Sequence, residues 1–159
     1  MPVNPRTVQG RRDLSFASLQ AVLADVEVLV ASSSTRTLGN WSLAELLNHL
    51  TMTMNNSLDG FQVTAPFYIR MIAPFFKKSA LKKITPGIRL PKSAETSAFP
   101  PSRSLDESLQ EFRKAIQRTT QETMEAAHPA FGRMTHDEWI QLHLRHSEMH
   151  LSFAVCGGR

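Results

Sequence analysis

An all-α fold, a bundle of four amphipathic helices, is what the sequence predicts, and three observations predict it. Four segments place apolar residues at i, i+3, i+4, i+7 spacing. Three of the four open on an S/T-x-x-E capping box, in which side chains satisfy backbone donors that a helix start leaves free. No segment alternates apolar and polar residues as a half-buried strand does. The 159 residues make one domain, 1–159, and not two. With 42% hydrophobic and 20% charged residues, the chain can fill a core and is not disordered by composition.

The first helix, about residues 18–31, aligns Leu19, Val22, Leu23, Val26 and Val30 on one stripe; its valines lower intrinsic helicity, so periodicity carries the assignment. The second, about 42–58, opens on the box Ser42 to Glu45 and lines up Leu43, Leu46, Leu47, Leu50 and Met54. The third, about 104–127, opens on Ser104 to Glu107 and sets Leu105, Leu109, Phe112 and Ile116 inward. The fourth, about 135–155, opens on Thr135 to Glu138.

Residues 61–103 form a long crossover between the second and third helices. Pro66, Pro74, Pro86, Pro91, Pro100 and Pro101 break it too often for one long helix. A helical piece near 66–83, then an extended strap through Pro86 and Gly87, is expected. A crossover of this length suits a bundle whose second and third helices run parallel, not as a hairpin.

Composition narrows the function classes. Cys156 is the single cysteine, so there is no internal disulfide and no CxxC zinc site, and a reducing compartment follows. Arg11 and Arg12 precede a fairly apolar stretch, as in twin-arginine export signals, but Asp25 and Glu27 interrupt it. The expected location is the cytoplasm. Net charge is +4, yet residues 61–103 carry eight Lys and Arg against Glu95 alone. The basicity therefore belongs to one segment, which argues against a nucleic-acid-binding protein.

The histidines are the sharpest anomaly. His143, His146 and His150 share an arc of about 60° on the last helix, at roughly 100° per residue, with Leu142, Met149 and Phe153 beside them. His146 and His150, four apart, can reach one ion from successive turns. A third ligand must come from another helix. His49 is the candidate, lying on the second helix beside a polar stripe of Glu45, Thr53 and Asn56. Three neutral imidazoles leave coordination positions open, as a catalytic site requires. A lone imidazole on an apolar stripe is ordinarily a hydrogen-bonded core residue, but three together are hard to satisfy without a metal. His136 is expected on the surface of the first turn, and His128, ahead of Pro129, in the loop closing the third helix.

The run from Arg145 to Phe153 resembles the last-helix H-x-x-x-H signature of the DinB/YfiT-like superfamily. The segment Asn40 to Leu50 is similar to its second-helix pattern, in which W-S-x-x-x-x-x-x-H supplies the first metal-binding histidine. Gly60-Phe61, the stretch Gly87 to Pro91, His128 to Gly132, and Glu138 to His146 read as E-W-x-x-L-H-x-R-H resemble an uncharacterised bacterial branch of it. The resemblance covers about residues 15–155. It implies an up-down-down-up four-helix bundle and a divalent metal, zinc or nickel, on His49, His146 and His150. His143 matches only the narrower branch, as a pocket residue or an alternative ligand. Characterised relatives include transferases that use bacillithiol, mycothiol or glutathione, so the resemblance also implies a low-molecular-weight thiol; no motif in the chain selects that chemistry.

Three functions follow. One is a metal-dependent enzyme, a transferase or hydrolase acting on a small-molecule substrate or thiol, with Glu45 or His143 as proton-transfer partner and Thr53 at the pocket edge. Against this, Glu45 has a ready role in the capping box. The second is a non-catalytic metal- or ligand-binding bundle. The third takes residues 66–92, where aromatic and lysine blocks alternate, as a surface that docks on an anionic membrane or on a partner. The expectation for that segment is instead a cover, in which Phe67, Ile69, Ile72 and Phe75 close the bundle's apolar end under solvated lysines. No nucleic-acid and no membrane partner is expected, and a homodimer is left open.

Overall fold

The computed structural model describes residues 2–87 and 102–157, and shows a mostly helical chain with one small two-stranded sheet. In chain order the elements are α1 (Leu19–Ala31), β1 (Thr35–Thr37), α2 (Leu43–Asp59), α3 (Phe67–Ala80), α4 (Leu105–Gln121), α5 (His136–Leu151) and β2 (Ala154–Cys156). The second half of the expected crossover, with Pro91, Pro100, Pro101 and most of the Gly87 to Pro91 motif, lies outside the described residues.

The helix starts fall where the caps place them. Ser18 accepts a hydrogen bond from the Ala21 amide at α1. Ser42–Glu45, Ser104–Glu107 and Thr135–Glu138 each close a reciprocal capping box at α2, α4 and α5. Each such cap is worth about 1 kcal/mol, enough to set where a helix begins.

Two helix ends differ from expectation. α4 stops at Gln121, not near 127, and Glu122 turns to extended backbone at φ −108° and ψ 152°. The chain beyond it must carry Met124, 1% exposed, into a second cluster with Met134, Trp139 and Leu142, and a continuing helix would not deliver it. Its backbone is held by Ala126 N–H donating to Ser57 O (3.3 Å) and by Trp139 Nε1 donating to Ala126 O (3.0 Å). α5 stops at Leu151, and Ala154–Cys156 pair antiparallel with Thr35–Thr37. Each strand has three residues, too few to show an alternating pattern, and its partner lies more than a hundred residues away.

The main core joins Leu19, Val22, Val26 and Leu29 of α1 to the leucine face and Met54 of α2. Leu109, Phe112 and Ile116 of α4, with Leu144 and Leu151 of α5, complete it. Arg12 clamps this body from the amino-terminal segment: it makes a two-pronged ion pair with Asp25 (both 2.7 Å) and donates to Leu151 O (3.1 Å). α2 packs on α4 and on α5, and α1 packs on the same two helices.

The expected cover does not form. α3 is a helix, as anticipated, with Pro74 inside it, but none of its residues is buried. Phe67, Ile72 and Phe75 are exposed; Ile69 alone of the four expected covering residues is half-buried. Among the described residues, Phe61, Leu81, Ile84 and Phe131 pack on the bundle's second cluster, and α3 adds to it its last residue, Ala80.

Candidate metal centre

Two helices meet at the histidines. α2 brings His49, two turns after the capping box that positions it; α5 brings His146 and His150, one turn apart on its own capped frame. The Nε2 atom of His146 lies 3.2 Å from Nε2 of His49 and 3.0 Å from Nε2 of His150. One ligand atom from each ring falls within 4.8 Å of the others, and this triad could hold a metal ion. No carboxylate or thiol joins the group among the described residues.

The arrangement fits a first-row ion. Metal–nitrogen bonds of about 2.0–2.1 Å at tetrahedral angles put two ligand nitrogens about 3.3 Å apart, close to the two separations that His146 makes. An all-imidazole set suits zinc, nickel, cobalt or copper and not magnesium or calcium, which take oxygen ligands. Burial is the first cause holding His146 and His150 well below the ordinary imidazole range; neighbouring imidazoles, and Arg11 beside His150, push the same way. Both rings are therefore neutral near pH 7, as metal ligation requires. His49 is 7% exposed, whereas His146 and His150 are half-buried, which leaves one side of the triad near solvent.

Trp41 completes the walls. Its ring system stacks on His150, with centroids 5.4 Å apart and planes at 8°, and stands 5.0 Å from His49. As a site residue it escapes the sequence reading, because a tryptophan just before an N-cap looks like a hydrophobic staple, and it does pack against the main core. The available signal was its place two turns ahead of His49.

The other candidates are distributed differently. His143 is fully buried away from the triad contacts: its Nε2 lies 2.9 Å from Ser57 Oγ, and its ring stacks on Trp139 at 5.4 Å. Ser57 donates its hydroxyl proton to Met54 O (2.6 Å), so His143 Nε2–H is the donor to Ser57. Burial, then the nearby His128, pushes the His143 imidazole down to about 3. Glu45 is exposed, and one carboxylate oxygen accepts from both Ser42 N (2.7 Å) and Ser42 Oγ (2.8 Å). Thr53, one turn after His49, donates to Leu50 O (2.9 Å).

His128 and His136 act in the architecture. His128 sits in the loop, as expected, where Nδ1 accepts from the amides of Ala130 (3.1 Å) and Phe131 (3.0 Å). His136 opens α5 and accepts from Met124 N (3.2 Å), so it fixes the loop that leaves α4 and is more than a surface residue.

No helix among the described residues is long and apolar enough to cross a membrane. No curated protein and no solved structure matches the chain. A family model does match, over residues 8–156, and the chain accordingly belongs to that family, the protein of unknown function family DUF1569.

Proposed function

We propose that the protein binds one divalent first-row metal, zinc or nickel, on His49, His146 and His150, and that it is a metal-dependent transferase or hydrolase of the DinB/YfiT-like type. The approach of His146 Nε2 to the Nε2 atoms of His49 and His150, at 3.2 and 3.0 Å, with one ligand atom of each ring within 4.8 Å of the others, carries this reading. Each imidazole contact can use only one N–H, and a shared cation takes a lone pair from each of the three rings. The mutual packing of α1 and α2 with α4 and α5 supports the up-down-down-up four-helix bundle that the resemblance implies.

Bound there, the ion supplies Lewis-acid chemistry, lowering the pKa of a water or of a low-molecular-weight thiol. The chain's own residues orient the reactants. Trp41 walls one side and restricts approach to the side where His146 and His150 keep some exposure. Thr53 keeps hydroxyl lone pairs free to accept, and stands on the His49 side of α2.

Glu45 favours the second reading, a non-catalytic metal-binding bundle, because its carboxylate is committed to the α2 cap and leaves proton transfer without it. Metal analysis of tag-free protein tests the common claim, with about one ion per chain expected. Cobalt-loaded protein then separates the readings. A thiolate-to-cobalt absorption band on adding a low-molecular-weight thiol marks the transferase-like site, and its absence removes the thiol chemistry and leaves a hydrolase or the non-catalytic bundle.

A further inference from the structure

Among the described residues, eight large apolar side chains are exposed, and six of them stand on α3: Phe67, Tyr68, Met71, Ile72, Phe75 and Phe76. Phe75 is 85% exposed and Phe67 74%. Scattered exposed leucines or valines are ordinary; a contiguous aromatic face on one helix is not. The helix meets the body along one half-buried stripe, Ile69, Ala73, Lys77 and Ala80. Lys77 Nζ pairs with Glu138 Oε1 (2.8 Å), Ala65 N–H donates to Pro129 O (3.1 Å) just before it, and Ala80 and Leu81 pack on the second core cluster. One face holds the body while the aromatic face points outward.

Charge accompanies that face. Between Phe61 and Gly87 the chain has five cations and no acidic residue. Lys77 is used by Glu138, which leaves Arg70, Lys78, Lys82 and Lys83, all exposed. At roughly 100° per residue the six apolar side chains span an arc of about 180°, and Lys78 lies within it. Lys82 and Lys83 follow directly after the helix. Beside Phe67 and Met71 a groove of about 270 Å³ runs to Phe131, with Arg70 at its rim.

We propose that α3 docks this protein onto an anionic phospholipid surface, with the aromatic face inserted among the acyl chains and the lysines on the headgroups. An amphipathic helix with bulky apolar residues on one side and lysines at its margin binds at the interface by both terms together. Its 14 residues are too short to span a bilayer. A second copy of the chain is the poorer occupant, since a two-fold contact through α3 would set Arg70, Lys78, Lys82 and Lys83 of each copy beside those of the other, and no acidic residue lies between Phe61 and Gly87. The proposal does not depend on the metal, whose residues lie on α2 and α5.

The test is flotation of the full-length protein with vesicles of phosphatidylglycerol and phosphatidylcholine, against phosphatidylcholine alone, at physiological and at high salt. Retention is expected only on the anionic vesicles and is expected to fall with salt. Neutralising Lys78, Lys82 and Lys83 to Gln should weaken it about a hundredfold. Phe67→Ser with Phe75→Ser should weaken it at least about tenfold at any salt, with helicity by circular dichroism unchanged. No retention by the native protein overturns the proposal, as does retention indifferent to the two serines. A concentration-dependent dimer that Phe75→Ser dissociates, without vesicle retention, overturns it in favour of a second copy.

Discussion

The Trp41 indole lies parallel to the His150 imidazole, 5.4 Å away and tilted by 8°, so the residue before the α2 cap helps orient a ring on α5. This stack ties the amino-terminal end of one helix to the carboxy-terminal end of another at the proposed ligand. Loading with copper or cobalt should quench tryptophan fluorescence strongly, because Trp41 lies against two of the ligand rings. Trp41→Phe should remove most of that quenching while metal stoichiometry stays the same. Quenching that persists in the variant assigns it to Trp139 and removes Trp41 from the site.

His146→Ala should abolish metal retention through dialysis, since two imidazoles hold a divalent ion weakly. His143→Leu should leave stoichiometry intact. It removes the donor to Ser57 and the ring stacked on Trp139, at a cost of about 1–2 kcal/mol measured by denaturant unfolding. Equal metal loss in both variants would place His143 among the ligands.

Acid should destabilise the fold partly through His128. Burial pushes its imidazole down from 6.5 to about 4, and its Nδ1 already accepts two backbone N–H groups, so a proton there has no place in the folded chain. Below the unfolded value the unfolded chain gains a proton that the folded chain refuses. Stability is therefore fully present above about pH 6.5, falls as pH drops toward 4, and loses nothing further from this group below that. The loss is on the order of 2 kcal/mol for a half-buried ring. His128→Asn keeps an acceptor without the titration. With metal chelated, its stability should fall less than the native protein's over that interval, whereas parallel curves would sink the assignment.

Arg12→Ala should lower stability by about 1–3 kcal/mol, because Asp25 and Leu151 O both lose a charge-assisted partner in a half-buried place. Thermal unfolding checks it, and an unchanged midpoint would show the clamp to be ornamental.

What could be read directly from the residues was local. Ser42–Glu45, Ser104–Glu107 and Thr135–Glu138 are contained within four residues each, and apolar spacing names a helix face without reference to its partner. His146 and His150 were legible as a pair for the same reason, and His49 as a complement from its helix edge and from resemblance. The remaining features depend on partners far along the chain. Met124 ends α4 early because a cluster around Trp139 receives it, and Ala154–Cys156 become a strand because Thr35–Thr37 stand alongside. His143 shares the arc of His146, yet Ser57 on α2 claims its Nε2. Phe67 and Phe75 look like covering residues until Phe61, Leu81 and Ile84 are found packed on that cluster while both phenylalanines stay exposed. Hydrophobic periodicity states that a side chain is apolar; whether it is buried depends on which other surfaces have taken the available space, and that competition is settled only in three dimensions.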